Sequence, residues 1–599
     1  MSFPRPIRSA LAAALALACA PALAGEYAGT VFFGDSLTDA GHFKDQLPAP
    51  LQPIAGKFTT NPGLVWAEHV ADYYGGDGRT DNQGGDNYAQ GGSRVAVANG
   101  VAESTVSQAA RYLAANGGKA DPDVLYTVWT GANDIFAIAG AGAPVQETLA
   151  TAVGGVVQIV GSLEAAGARY VLVPSMPDMG ITPDAAAAGP LAQAALTQLA
   201  SGYNDAMYGA LAQAGHRVIP LDTFNMLREV LASPAAYGLR NVTETACLPP
   251  GGSSLACYPA AYVAPDAADT YLFADGAHPT GAVHAFLADY AVSVLEGPRL
   301  VSVVPHSATV IGRSRADQVA GHILARPEAE GLRWWGGLRA DNQRYGHADL
   351  YDGVAPAGLF GIDWSDGRGL VAGTFVGHGR LDADFGLGRG DFTQTESTLG
   401  GFVGWYGERA WVNAQASYTR LDVEVNREVA MGPAVRRHAG DTDGRNTAFG
   451  VSGGYAFGEG AVRHGPVAAL LWQQVELDGW RESNLSSSAL AYPELSLDSL
   501  VGSLGWQASY DAGAFVPYAR ATWDHEFEDA PAQARARLQT LPDLEYAVPG
   551  LDIDGDYGTL VLGARFGLFG LAADLGARTT VGRKGGSDNG VFLSLSGGF

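Results

Sequence analysis

Positive charge is scarce in this chain. Its 599 residues carry 37 Lys plus Arg against 62 Asp plus Glu, a formal net charge of −25. Such a surface repels phosphate backbones and disfavours nucleic acid as a partner. Cysteine is nearly missing, with three residues in all, one of them (Cys19) inside an apolar leader. Neither a P-loop nor paired cysteines with zinc-ligand spacing is evident, so no metal and no cofactor is implied. Past the leader no apolar segment is judged long enough for a membrane helix. Glycine is abundant at 81 residues, but without the period of a collagen.

What is present begins with that leader. Arg5 and Arg8 precede "ALAAALALACAPALA", which ends in Ala22-Leu23-Ala24. Charged start, apolar run and small-residue end are those of a secretory signal peptide, residues 1–24, cleaved after Ala24. The residues before Cys19 fit a lipoprotein signal poorly. Export leaves Cys247 and Cys257, in the turn-rich "CLPPGGSSLAC". A close pair in an exported chain points to a local disulfide, with two free thiols as the alternative.

The mature chain has two grammars. In residues 25–300, short β-branched runs ("GTVFF", "VLYTVW", "RYVLVPS", "RVIPLD") alternate with long amphipathic stretches such as "PVQETLATAVGGVVQIVGSLEAAGA". That is an α/β domain with a parallel sheet flanked by helices. In residues 331–599 strict alternation takes over. "NTAFGVSGGYAF" sets Phe449, Val451 and Tyr455 against Ala448, Gly450 and Ser452, and "WVNAQASYTRL" sets Val412 and Tyr418 against Asn413 and Gln415. Strands with one apolar and one small or polar face suit an outer-membrane β-barrel, with a soluble β-sandwich as the rival reading. Roughly 270 residues at about 20–24 per strand and loop give about 12 strands. Trp405, Tyr406, Trp411 and Trp523 are candidates for interfacial girdles. Residues 301–330 form the connection. "ATVIGRSRADQVAGHILAR" within it has helical spacing, and reads as a linker helix or as a helix in the barrel lumen, where Arg313, Arg315 and Arg326 would meet polar side chains.

Chemistry concentrates in the first half. "VFFGDSLTDAG" puts Ser36 just after a buried strand, where a turn can expose its hydroxyl and aim backbone N–H groups at an oxyanion. A nucleophilic serine needs a base. Among the histidines, His278 stands apart in "FADGAHPTG", a loop three residues after Asp275, which can fix the imidazole's tautomer. "NYAQGGSRV" offers Gly92, whose backbone can approach a substrate, with adjacent Gly91 as an alternative. "VWTGANDIF" offers Asn133, an amide suited to an oxyanion hole or merely to capping a helix. "GVSGG" around Ser452 meets the Gly-x-Ser-x-Gly pattern but lies inside an alternating strand, without the strand-turn-helix context that pattern needs.

"GDSL", the glycine of "NYAQGG", the asparagine of "GAND" and "DGAH" follow the order of the four blocks of the GDSL, or SGNH, hydrolases, which the α/β half therefore resembles. The resemblance implies Ser36 as nucleophile, His278 as base, Asp275 as third triad member, and Gly92 and Asn133 as oxyanion-hole donors. With the C-terminal barrel, the whole chain resembles GDSL-type autotransporter esterases: an SGNH-hydrolase passenger on a translocator barrel of about 12 strands with a helix in its lumen. That implies a carboxylester hydrolase at the cell surface, anchored among outer-membrane lipids and inserted by the barrel-assembly machinery. Apolar "PDAAAAGPLAQAAL" and the disulfide loop would flank the acyl site, which favours short- to medium-chain esters or lysophospholipids over acetylated sugars. The alternative is a displayed binding or adhesive module on the same fold, without turnover.

Overall fold

The computed structural model describes residues 27–249, 252–324, 330–346 and 349–599; the leader with Ala24, and Arg326, lie outside them. Four short strands, Gly29–Gly34 (β1), Val124–Trp129 (β2), Tyr170–Pro174 (β3) and Ile219–Leu221 (β4), form a parallel sheet in that order. Helices cover both of its faces, which is why these strands read as unbroken apolar runs. Neighbouring strand residues point opposite ways. Phe32 accordingly packs with Trp66 and Val70 in one core, and Phe33 with Tyr112 and Val156 in another. At the carboxyl edge the polar residues Ser36, Thr130, Ser175 and Asp222 follow the four strands, where ligands bind in open parallel sheets.

One expectation is corrected here. The helix Val145–Ala166 is long and apolar enough by composition to cross a membrane. Its Ala152, Val156, Ile159, Val160 and Leu163 are buried in the α/β core, so its apolar length serves packing against the sheet.

Twelve antiparallel strands then close into a barrel, the first, Glu330–Tyr345, pairing with the last, Gly586–Gly598. Closure leaves no unpaired strand edge in the wall. Leu338, Val376, Phe449, Val451 and Leu562 are exposed on the outside, whereas Gln343, Gln394, Asn446, Gln473 and Asp588 are buried within. Trp405 and Trp523 are exposed as girdle residues would be. Tyr406 and Trp411 are not. With a period of two, Tyr406 must face away from its neighbour Trp405, and Trp411 shares a face with buried Asn413. Tyr406 donates its hydroxyl to Ile323 O, and Trp411 packs against the cluster around Val319 and Ile323.

Val319 and Ile323 belong to the helix Val303–Leu324, which runs through the barrel lumen. It continues the helix Gly281–Val301 of the α/β half with only Ser302 between. Arg315 pairs with Glu396 at 2.9 Å, Gln473 donates to Thr309 O at 3.0 Å, and His322 lies 2.8 Å from Asp363. Arg313 sits over the Tyr557 ring. A side chain at Gly312 would collide with Gln473 and Asn446, so the helix approaches the wall closely there. Ser452, inside the barrel wall, bonds to Asn413 and has no histidine partner among the described residues.

A further element escapes the strand periodicity. Trp480–Arg481, Leu490–Tyr492, Gln533–Leu538 and Glu545–Pro549 make a second, four-stranded sheet outside the barrel wall. It packs on the helix Gly281–Val301, and Tyr546 donates to Val294 O at 2.8 Å. Ile219, Leu221, Tyr290 and Val294 share one core with Leu490, Tyr492, Ala536 and Tyr546. The α/β half and the barrel's outer sheet are thus packed as one body.

Candidate active site

Ser36 lies in the tight turn that follows β1. Asp35 holds that turn: its backbone carbonyl accepts the N–H groups of Thr38 and Asp39, each at 3.0 Å, and its carboxylate accepts Leu37 N–H at 3.1 Å. The Ser36 hydroxyl lies 2.7 Å from His278 Nε2. His278 comes from a loop after the strand Tyr271–Phe273, 242 residues away in sequence. On the other side of the ring, Nδ1 lies 2.8 Å from Asp275 Oδ1 and 2.9 Å from Oδ2. Asp275 Oδ1 also accepts the N–H groups of Ala277 and His278, and Oδ2 accepts that of Ser254 at 2.7 Å. Because the carboxylate takes Nδ1–H, Nε2 is left as the acceptor facing Ser36.

The charges follow this geometry. Burial works against ionising Asp275, but the His278 charge and the hydrogen bonds from His278, Ser254 and Ala277 hold it well below the usual carboxylate range. Burial also works against a charged His278. The Asp275 carboxylate, with Asp35 and Asp184 beyond it, outweighs that and raises its pKa above the ordinary value. His284, by contrast, is pushed down to about 3 by burial and accepts the Trp66 N–H. It stays neutral and structural. His216 pairs with Glu164 at 2.7 Å, away from Ser36.

The glycine block bonds to the Ser36 turn, and the asparagine block bonds to the glycine block. Gly91 donates its N–H to Asp39 Oδ2 at 2.8 Å, and a side chain there would collide with the Phe58 ring. Gly92 has φ +85°, a left-handed conformation that favours glycine, and its N–H takes no partner among the described residues. Asn133 is in the first turn of the helix Ala132–Ala141, whose N-cap is Gly131, so it does not cap that helix. Its Nδ2 donates to Ser93 O at 2.9 Å, next to Gly92, and keeps a second N–H. Cys247 and Cys257 are joined in a disulfide. That loop delivers the Ser254 N–H to Asp275, and Asp184 in the helix Pro183–Ala188 donates its N–H to Gly276 O.

Sequence reasoning passed over Asp35, Asp39, Asp134, Phe58 and Ser254. Phe58 lies with its ring 5.2 Å from that of His278. Asp134 binds Val95 N–H and Arg94 at 2.9 Å, tying the asparagine block to the glycine block. Asp39 stands three residues after Ser36, within "GDSLTD", and Asp134 directly after Asn133. Proximity to the motifs was the available signal.

Comparison with known proteins concerns the two halves of the chain. Residues 30–291 match the family model of the GDSL-like lipase/acylhydrolases, and residues 334–576 that of the autotransporter beta-domain. The chain is 29% identical to esterase EstA of Pseudomonas aeruginosa over 597 residues, covering 88% of each chain. It is 23% identical to lipase 1 of Photorhabdus luminescens, over 86% of this chain and 87% of that one. Among solved structures, the translocator domain of autotransporter NalP from Neisseria meningitidis aligns with 50% of this chain and 98% of its own, at 18% identity and a TM-score of 0.41.

Proposed function

Since the chain belongs to the GDSL-type autotransporter esterases, carboxylester hydrolases carried on their own translocator barrel, we propose that Ser36, His278 and Asp275 are its catalytic triad. The observation that carries this reading is the continuous run from Ser36 Oγ through the His278 ring to Asp275, at 2.7 and 2.8 Å. His278 Nε2 takes the Ser36 proton as Oγ attacks the ester carbonyl, and Asp275 stabilises the imidazolium that forms. Nε2 then gives that proton to the leaving alkoxide. A water, deprotonated by the same nitrogen, hydrolyses the acyl-enzyme. The Ser36 N–H, the Gly92 N–H and the Asn133 amide bind the oxyanion. Gly92 is favoured over Gly91 as donor because the Gly91 N–H is already engaged by Asp39.

The substrates are carboxylic esters of short to medium acyl chain, lysophospholipids among them. Support comes from exposed apolar residues on segments that adjoin the site in sequence: Val97 and Val101 follow Gly92, Leu191 opens the helix Pro190–Gln213 just after the helix of Asp184, and Leu248 adjoins Cys247. Exposed apolar side chains on segments adjoining a site favour an apolar ligand. The barrel sits in the outer membrane with the hydrolase outside. The leader is removed after Ala24, lipids surround the barrel wall, and the barrel-assembly machinery inserts it.

Labelling intact cells with an impermeant fluorophosphonate tests the reading. A full-length, membrane-bound band that disappears in Ser36→Ala is expected. An undiminished band in Ser36→Ala would reject the nucleophile, and labelling only after lysis would reject surface display.

A further inference from the structure

We propose that Asp39 is a positioning residue of the oxyanion hole, locking the Gly91–Gly92 turn to the nucleophile turn so that the Gly92 N–H faces the reacting carbonyl. This rests on the roles given above to Ser36 and Gly92. Asp39 is wholly buried. Its Oδ1 accepts the N–H groups of Gly41 and His42 at 2.8 and 2.6 Å, closing the turn that begins at Ser36. Its Oδ2 accepts the Gly91 N–H at 2.8 Å, across 52 residues of sequence. No Lys or Arg pairs with it among the described residues. A buried carboxylate is costly unless its oxygens are satisfied, and every partner here is a backbone N–H. The side chain therefore spans two loops by geometry, with no ion pair to account for it.

The far loop is held on its remaining sides. Gly91 is confined between Asp39 and the Phe58 ring. The Gly92 carbonyl accepts from Asn99 Nδ2 at 2.9 Å, and the Ser93 carbonyl accepts from Asn133. Of the N–H groups of residues 90–93, that of Gly92 is the one without a partner among the described residues, and so the one left for substrate. Asp39 is the link that sets its position relative to Ser36.

Asp39→Asn in the full-length, membrane-anchored chain is the direct test. The amide has the same size and keeps Oδ1 for Gly41 and His42, but it sets an NH2 group against the Gly91 N–H. We expect kcat per fluorophosphonate-titrated site to fall about 10- to 100-fold with KM within about threefold, less than the roughly 10²–10³ lost with a deleted donor. Combined with Asn133→Ala, the losses should multiply to less than their product, because both act on one oxyanion hole. A kcat within about threefold of wild type, or fully multiplicative losses, would overturn the proposal. Should Asp39→Asn fail to accumulate, Asp39→Ala removes both acceptor oxygens without adding an opposing donor, and the same criteria apply. An active Ser36→Ala would defeat the underlying triad. An inactive Ser36→Ala beside a fully active Asp39→Asn would defeat this inference alone.

Discussion

Replacing Asp275 with asparagine separates the electrostatic work of this site from its shape. The carboxylate receives four donors: Nδ1–H and N–H of His278, the Ala277 N–H and the Ser254 N–H. Asparagine can satisfy only one side. If its oxygen stays toward Ala277 and His278, the amide NH2 opposes the Ser254 N–H, and the ring keeps its tautomer but loses its counter-charge. If it flips, the NH2 faces Nδ1 and drives the proton to Nε2, which then cannot accept from Ser36. Both arrangements slow acylation. We expect a loss in kcat between about 10² and 10⁴, or roughly 2.7–5.4 kcal/mol of barrier. The pH profile adds a signed test. Burial lowers the pKa of His278, but Asp275 outweighs it and holds it above the ordinary value. The base works only when neutral, so wild-type activity declines as pH falls through that raised pKa. Without the carboxylate the acid limb must move to lower pH. The assay is hydrolysis of a chromogenic ester by detergent-solubilised full-length protein, across pH. A variant within about tenfold of wild-type kcat and with an unmoved acid limb would refute the reasoning.

Two further outcomes follow from buried charges. Burial, with Asp134 adding to it, pushes Asp35 up from 3.8 to about 7 against the N–H bonds of Leu37 and Ala132 and the charge of His278. With the folded pKa above the unfolded one, its stabilising contribution is complete below about pH 4. That contribution is lost as pH rises through about 7, amounting to about 4 kcal/mol. Asp35→Asn should therefore melt with a shallower decline between about pH 4 and 7, and an unchanged slope in thermal melts followed by tryptophan fluorescence would contradict this. At the junction of the two halves, Arg427 binds Glu482 through two bonds of 2.7 Å and donates to Ser488 O at 2.6 Å. Arg427→Met strands a buried carboxylate and should cost about 3–5 kcal/mol, whereas adding Glu482→Leu should recover most of it. Proteolysis within residues 480–549 reports the loss, and wild-type resistance of the single variant would count against it.

The sequence by itself determined what depends on local period and on order. Alternating strand and helix patterns fixed the parallel sheet, because both rest on contacts a few residues apart. Strict alternation after residue 331 marked strands with one apolar face for the same reason, although closure into a barrel rather than a sandwich lies in the pairing of the first strand with the last, and the four ordered motifs singled out Ser36, Gly92, Asn133 and His278. Tertiary structure decided the rest. The two glycines of "GG" look alike in the sequence; Asp39, 52 residues away, engages the N–H of the first and leaves that of the second without a partner among the described residues. Tyr406 resembled a girdle residue until the strand's parity turned it toward the lumen helix. The outer sheet of residues 480–549 could not be read from its short strands, since the core they share with Ile219 and Tyr290 is built from residues far away in sequence. A pattern in sequence records which way a side chain points relative to its neighbours. What it points at is settled by long-range packing, and there the distances between Ser36, His278 and Asp275 are set.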